Sequence, residues 1–126
     1  MADFILHHPH LPQDLVPYWD FNDPAIPNAP RDASAGAVIA SGLLELSTFS
    51  ARGATYRRQA SELLDNLAKN YIAQPGSQHG FLLLHSTGHK PAGSEIDAPL
   101  IYADYYFMEG LLRRQCLATG KPLSVR

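Results

Sequence analysis

The chain has 126 residues, 45% of them hydrophobic and 17% charged, which fits one globular domain and argues against intrinsic disorder. Ten basic against twelve acidic residues leave a formal charge of −2, too little field to steer nucleic acid or an anionic membrane. The single cysteine, Cys116, excludes an internal disulfide framework and suits a reducing compartment, so a cytoplasmic location is expected.

The N-terminal Met1 to Pro9 lacks a basic region, and its apolar run, Phe4-Ile5-Leu6, is three residues long. That is not the pattern of a signal peptide. No stretch approaches the roughly 20 apolar residues of a membrane span. A short helical turn is expected at the start. Six of the ten prolines then fall between Pro9 and Pro30, interleaved with Asp14, Asp20, Asn22, Asp23 and Asn28. This composition predicts an irregular loop, and no internal repeat or low-complexity tract accompanies it.

Asp32 is a good N-cap, because its carboxylate can accept a free first-turn amide, for a helix to about Thr48. Ala33, Ala37, Ala40 and Leu44 trace one stripe, Ile39, Leu43 and Leu46 another, and Glu45 is the only charge inside. A helix apolar on nearly all sides is a buried one. The next, from about Thr55 to Ala73, aligns Tyr56, Ala60, Leu63, Leu64, Leu67 and Tyr71 on one face. Arg57, Arg58, Glu62, Asp65, Asn66 and Lys69 occupy the other, so this helix is half solvated. Gln74-Pro75-Gly76-Ser77 should end it. Gly80 to Leu84 is a short buried run, and His85 to Ala98 a loop. The last helix is expected from Pro99, a favoured first position, to the Gly120-Lys121-Pro122 stop. Inner helix, outer helix, loop and inner helix follow in turn. That alternation points to an all-α segment of concentric helical hairpins.

Three ordered motifs carry a family resemblance. Val16-Pro17-Tyr18-Trp19-Asp20-Phe21 is the first. Arg31-Asp32-Ala33-Ser34-Ala35 with Gly42-Leu43-Leu44-Glu45-Leu46 is the second, and Glu95 to Glu109 the third. Together they resemble glycoside hydrolase family 88, the unsaturated glucuronyl hydrolases, over the C-terminal third of a family member. The resemblance implies that residues 1–126 form part of a six-hairpin (α/α)6 barrel. It further implies action on an oligosaccharide whose non-reducing end carries the unsaturated uronic acid left by a polysaccharide lyase. In that family an aspartic acid protonates the C4=C5 vinyl ether and water adds at C5. The hemiketal then opens and releases the aglycone, with no cofactor. The two catalytic aspartates of the family lie upstream of this segment. The resemblance therefore implies a truncated, inactive piece, and the role does not pass to Asp20, Asp32 or Asp104. Some members read sulfate with Ser-x-x-Ser-x-Lys; here only Lys90 agrees, with His85 and Gly88 at the serine positions.

The candidate substrate contacts are Tyr18, Trp19, Asp20, Arg31, His85, His89 and Lys90. Tyr18 and Trp19 offer a face for a pyranose, although an aromatic pair in such a loop also serves to plug a barrel end. Asp20 can bind a hydroxyl or cap local amides. Arg31 and Lys90 can meet a uronate or fix the loop by ion pairs. His85 and His89 are four apart, like zinc ligands on a helix. Gly88 and Lys90-Pro91 argue against a helix there, however, and no metal is expected, at His7-His8-Pro9-His10 either. Asp104 and Glu109 sit in an apolar helix and must be paired if buried, most simply with a neighbouring helix. No Gly-x-Ser-x-Gly elbow marks a serine hydrolase. Half a barrel should expose inner faces such as Ala33, Ala37, Ala40 and Leu44, and so self-associate. The alternative to a hydrolase segment is a non-catalytic helical carbohydrate-binding or interaction module.

Overall fold

The computed structural model describes residues 1–123 and is built from four α-helices joined by long loops. They are α1 (Ala2–Leu6), α2 (Ala33–Leu46), α3 (Gly53–Asn70) and α4 (Ile101–Ala118). Among the described residues there are isolated backbone bridges but no strand. Helix α2 is the hub: it packs on α3 along one side and on α4 along the other, while α3 and α4 scarcely meet.

The cap of α2 forms as its residue type demands. The Asp32 carboxylate accepts the Ser34 amide at 3.0 Å and the Ser34 hydroxyl at 2.5 Å. Small residues on α2 set its distance from α3. At Gly36 an added Cβ would sit 3.6 Å from Leu63, Leu67 and Val16, so these large side chains reach the α2 backbone directly. Leu44, Leu63, Leu64 and Leu67 are fully buried, each contributing about 1.5–3 kcal/mol of apolar burial. The α2–α3 turn closes on Gly53, where a Cβ would lie 2.2 Å from the Ser47 carbonyl oxygen.

Four expectations need correction. Of the Gly80 to Leu84 run only Leu83 is buried, and Leu82 faces solvent. Helix α3 stops at Asn70, short of Ala73, because the chain beyond it pairs elsewhere. Ala73 N–H donates to Leu82 C=O and Leu84 N–H to Tyr71 C=O, both at 2.8 Å. Pro75-Gly76 turns that hairpin instead of ending the helix, with Gly76 at φ 78°. Helix α4 begins at Ile101, because Ala98 is held in a bridge to Ser86 and Leu100 is still extended. Lastly, Ala33, Ala37, Ala40 and Leu44 are not an open face: all four are fully buried against the hub's neighbours. The open apolar face belongs to α4. Ile101, Tyr105, Met108 and Leu112 are 45–72% exposed and line a shallow groove of about 590 Å³.

The acids of α4 are paired, but in two different ways. Glu109 accepts the Ser41 hydroxyl of α2 at 2.5 Å, with Arg113 beside it. Asp104 turns away from the helices and accepts the backbone amides of Leu82 and Leu83, both at 2.9 Å. It thereby fixes the extended segment that leads into the 85–98 loop.

Candidate functional site

The Pro-rich loop and the 85–98 loop meet over the N-terminus of α2. The first loop is closed at its neck by an antiparallel bridge, Tyr18 to Arg31, with Trp19 N–H on Pro30 C=O at 3.0 Å and Asp32 N–H on Pro17 C=O at 2.9 Å. The second loop grips this neck from the side. Thr87 donates its hydroxyl to Arg31 C=O at 3.0 Å and its amide to Asp32 Oδ1 at 3.3 Å. The His85 carbonyl accepts the Ala33 amide at 3.0 Å.

Two polar constellations result. In the first, the buried Asp23 carboxylate accepts both the Trp19 indole N–H and, at 2.9 Å, the Lys90 ammonium. That ammonium lies 4.7 Å from the Trp19 ring centroid, within cation–π range. Hydrogen bonds from the Trp19 indole, the Ala25 amide and Lys90, in that order, lower the Asp23 pKa to about 2. Trp19, Asp23 and Lys90 therefore form one unit that joins the two loops.

In the second constellation Arg31 Nη2 reaches both Asp14 oxygens at 2.5 Å and the Tyr71 hydroxyl at 3.0 Å. Tyr71 donates to Asp14 Oδ2 at 2.9 Å. Burial works against the Arg31 charge, but Tyr71 and Asp14 outweigh it and raise its pKa. Burial, helped by the Asp14 contact and opposed by Arg31, raises that of Tyr71. His85 stands next to this trio, its ring edge-on to Tyr71 with centroids 5.9 Å apart and its Nδ1 2.5 Å from Asp97 Oδ1. These residues, with Asn28 and Asn70, line an open groove of about 550 Å³.

The seven candidate residues thus do not form one site. Trp19 and Lys90 share the first constellation, Arg31 and His85 the second. Tyr18 lies between them, its ring under the Arg31 guanidinium at 5.1 Å and its hydroxyl 3.4 Å from Pro27 C=O. Asp20 serves the local turn, accepting the Asn22 amide at 2.8 Å. His89 is exposed and belongs to neither group. The segment His85 to His89 is not helical, and among the described residues no group of three or more His, Cys, Asp or Glu could hold a metal ion. Asp14, Asp23, Tyr71 and Asp97 do as much as any candidate, and sequence reasoning missed them. Only the Asn-Asp-Pro turn signature at Asp23 offered a local hint.

No family model matches the chain. Individual proteins do. The chain is 48% identical over 117 residues to the unsaturated glucuronyl hydrolase of Formosa agariphila, covering 92% of this chain and 29% of that protein. A crystal structure of an unsaturated glucuronyl hydrolase specific for heparin superposes with a TM-score of 0.90 at 46% identity, over 94% of this chain and 32% of that one. The Streptococcus agalactiae enzyme, crystallised as a variant complexed with dGlcA-GalNAc6S, superposes at 0.75 with 30% identity, over 82% of this chain and 29% of that one.

Helices and loops in this arrangement are those of a six-hairpin helical glycoside hydrolase. Within that class the chain belongs to the unsaturated glucuronyl hydrolase family, glycoside hydrolase family 88, and is consistent with the C-terminal portion of such a protein. It spans about 29% of the length of the Formosa agariphila protein. No described helix is long and apolar enough to cross a membrane.

Proposed function

We propose that this chain is the loop-bearing, substrate-contacting part of a hydrolase for oligosaccharides ending in an unsaturated uronic acid. In the complete enzyme the reaction is hydration of the C4=C5 vinyl ether, followed by opening of the hemiketal and release of the aglycone. Such chemistry needs a carboxyl group with a suitable pKa beside the reacting carbon, and three of the carboxylates described above are held out of that role. Asp23 is held ionised near pKa 2 by its three donors, a poor proton donor at neutral pH. Asp14 is clamped by Arg31, and Asp104 by two backbone amides. The two catalytic aspartates of the family lie upstream of this segment, so in our reading the acid comes from outside it and the segment alone is inactive.

The observation that carries this reading is joint similarity: 48% sequence identity over 92% of the chain, together with a TM-score of 0.90. Trp19 and Lys90 are the contacts it favours, an aromatic face beside an ammonium with donors beyond the one given to Asp23. Neither residue stands alone, so both are pre-set before any ligand arrives. We include self-association of the isolated chain through the exposed face of α4.

The test is a chimera in which this segment replaces the matching third of the Formosa agariphila enzyme. Loss of the unsaturated-uronate absorbance should proceed in the chimera and not with the segment alone. Turnover by the isolated segment, abolished by Asp23→Asn or Asp14→Asn, would falsify the assignment.

A further inference from the structure

The α2–α3 turn and the end of α4 enclose an open groove of about 610 Å³, apart from both loop constellations. The 14 residues of α2 put it about 20 Å from the mouth of the segment. Arg57 and Arg58, neighbours on α3, line it, and no acid does. These two differ from the other arginines. Arg31, Arg52, Arg113 and Arg114 each pair with a carboxylate. Arg57 and Arg58 have no carboxylate partner among the described residues, and both are exposed.

An arginine near a helix C-terminus can instead bond the last carbonyls, but those of α2 are taken. Ser47 donates its amide to Leu43 C=O at 2.9 Å and its hydroxyl to Leu44 C=O at 2.6 Å. Thr48 donates its hydroxyl to Glu45 C=O at 2.8 Å, and the Ser50 amide reaches Leu46 C=O at 3.1 Å. The same bonds fix the hydroxyls of the groove. Ser47 and Thr48 turn their protons to the helix, as Ser61 does toward Arg57 C=O at 2.8 Å. To a ligand these three oxygens offer only lone pairs. Gly53, packed on the Ser47 carbonyl oxygen, holds this wall in shape.

Two guanidiniums, forked donors that suit an oxyanion, thus stand beside oxygens that need a donor. A bare anion satisfies the first group alone, and a neutral sugar the second alone. We infer that this groove is a second binding site, for an anionic sugar. Its sulfate, phosphate or carboxylate lies on Arg57 and Arg58, and its hydroxyls donate to Ser47, Thr48 and Ser61. The inference goes beyond the activity proposed above, from which it takes only the choice of a sugar among hydroxylated anions.

The experiment is an NMR titration of the isotope-labelled full chain with glucose 6-sulfate, glucose and methyl sulfate. Parallel titrations with glucose 6-phosphate and glucuronic acid identify the preferred oxyanion. Glucose 6-sulfate should shift the amides of Ser47, Thr48, Arg57 and Arg58. Glucose and methyl sulfate, each lacking one half of the recognised chemistry, should bind at least about fivefold more weakly. Arg57→Gln and Arg58→Gln should each weaken binding of the sugar sulfate about tenfold, the loss of a charge-assisted contact, with the rest of the spectrum intact. No shift at these residues overturns the site, as do shifts confined to Trp19 and Lys90. So does glucose or methyl sulfate binding as tightly as the ester, or undiminished binding by the variant carrying both substitutions. An active chimera whose segment ignores all three anionic sugars would sink this groove alone. An inactive chimera with the groove response intact would sink the proposed activity alone.

Discussion

The ammonium of Lys90 sits 4.7 Å from the ring centroid of Trp19, although 71 positions separate the two residues in the chain. Asp23 ties both to one buried carboxylate. Replacing either residue therefore loosens two loops, and structural and binding effects must be measured on the same variants.

Trp19→Ala should lower the melting temperature of the isolated chain and raise KM in the chimera. The expected loss is about 1–3 kcal/mol, roughly ten- to a hundredfold in binding. His89→Ala, on an exposed loop without either set of contacts, should change both far less. A Trp19→Ala chimera with a lowered melting temperature and an unchanged KM would make Trp19 a brace between loops and nothing more.

Asp23 gives a pH signature. Its folded pKa, about 2, lies below the ordinary 3.8, so ionisation favours the folded state. The stabilisation is complete above pH 3.8 and fades as pH falls toward 2. Asp23→Asn should flatten that part of the stability profile in acid denaturation followed by circular dichroism. An identical acid limb in the variant contradicts the assignment.

Asp104→Ala should destabilise the chain, because it strands the buried Leu83 amide and frees the partly exposed Leu82 amide. A buried amide left unpaired, as at Leu83, costs about 1–3 kcal/mol. Urea unfolding checks this, and a loss below about 1 kcal/mol would mean that other groups satisfy those amides.

Gly53→Ala should cost about 1–3 kcal/mol through overpacking, since the new methyl group meets the Ser47 carbonyl oxygen. Gly42→Ala is the control: it has nothing within 4 Å of the added carbon and should be neutral or stabilising. Equal melting temperatures for the two variants would refute the close approach at the α2–α3 turn.

The isolated chain should associate with rising concentration in light scattering. Tyr105→Lys and Met108→Lys should reduce that association, because both residues lie on the exposed face of α4. Val38→Lys, on α2, serves as the comparison. Monomeric wild-type chain at high concentration would remove self-association from the proposal.

Local signals were readable in the sequence, while pairings across the chain were not. Asp32 announced its helix because a cap works within two residues, and the α3 face followed from spacing alone. The open face was misassigned because α2 is apolar on nearly every side. Periodicity cannot tell which stripe meets a neighbour, and α4, with its interspersed charges, looked no more exposed than α2. The site suffered most. Asp14 meets Arg31 across 17 positions and Tyr71 across 57, and nothing near Asp14 in the chain announces either partner. That Arg31 and Lys90 could fix the loops by ion pairs was legible, but their partners, Asp14 and Asp23, were not.

The neck formed by Tyr18 and Arg31 also makes a kinetic statement. Trp19 and Asp32 donate across it, while Ala33 and Thr87 donate between the two loops. These four amides share one set of fastenings. Parting the loops from the start of α2 breaks all four bonds, so the four amides should show a common protection against deuterium, as a single opening event. The mouth of this segment is thus one latch, closed or open as a whole.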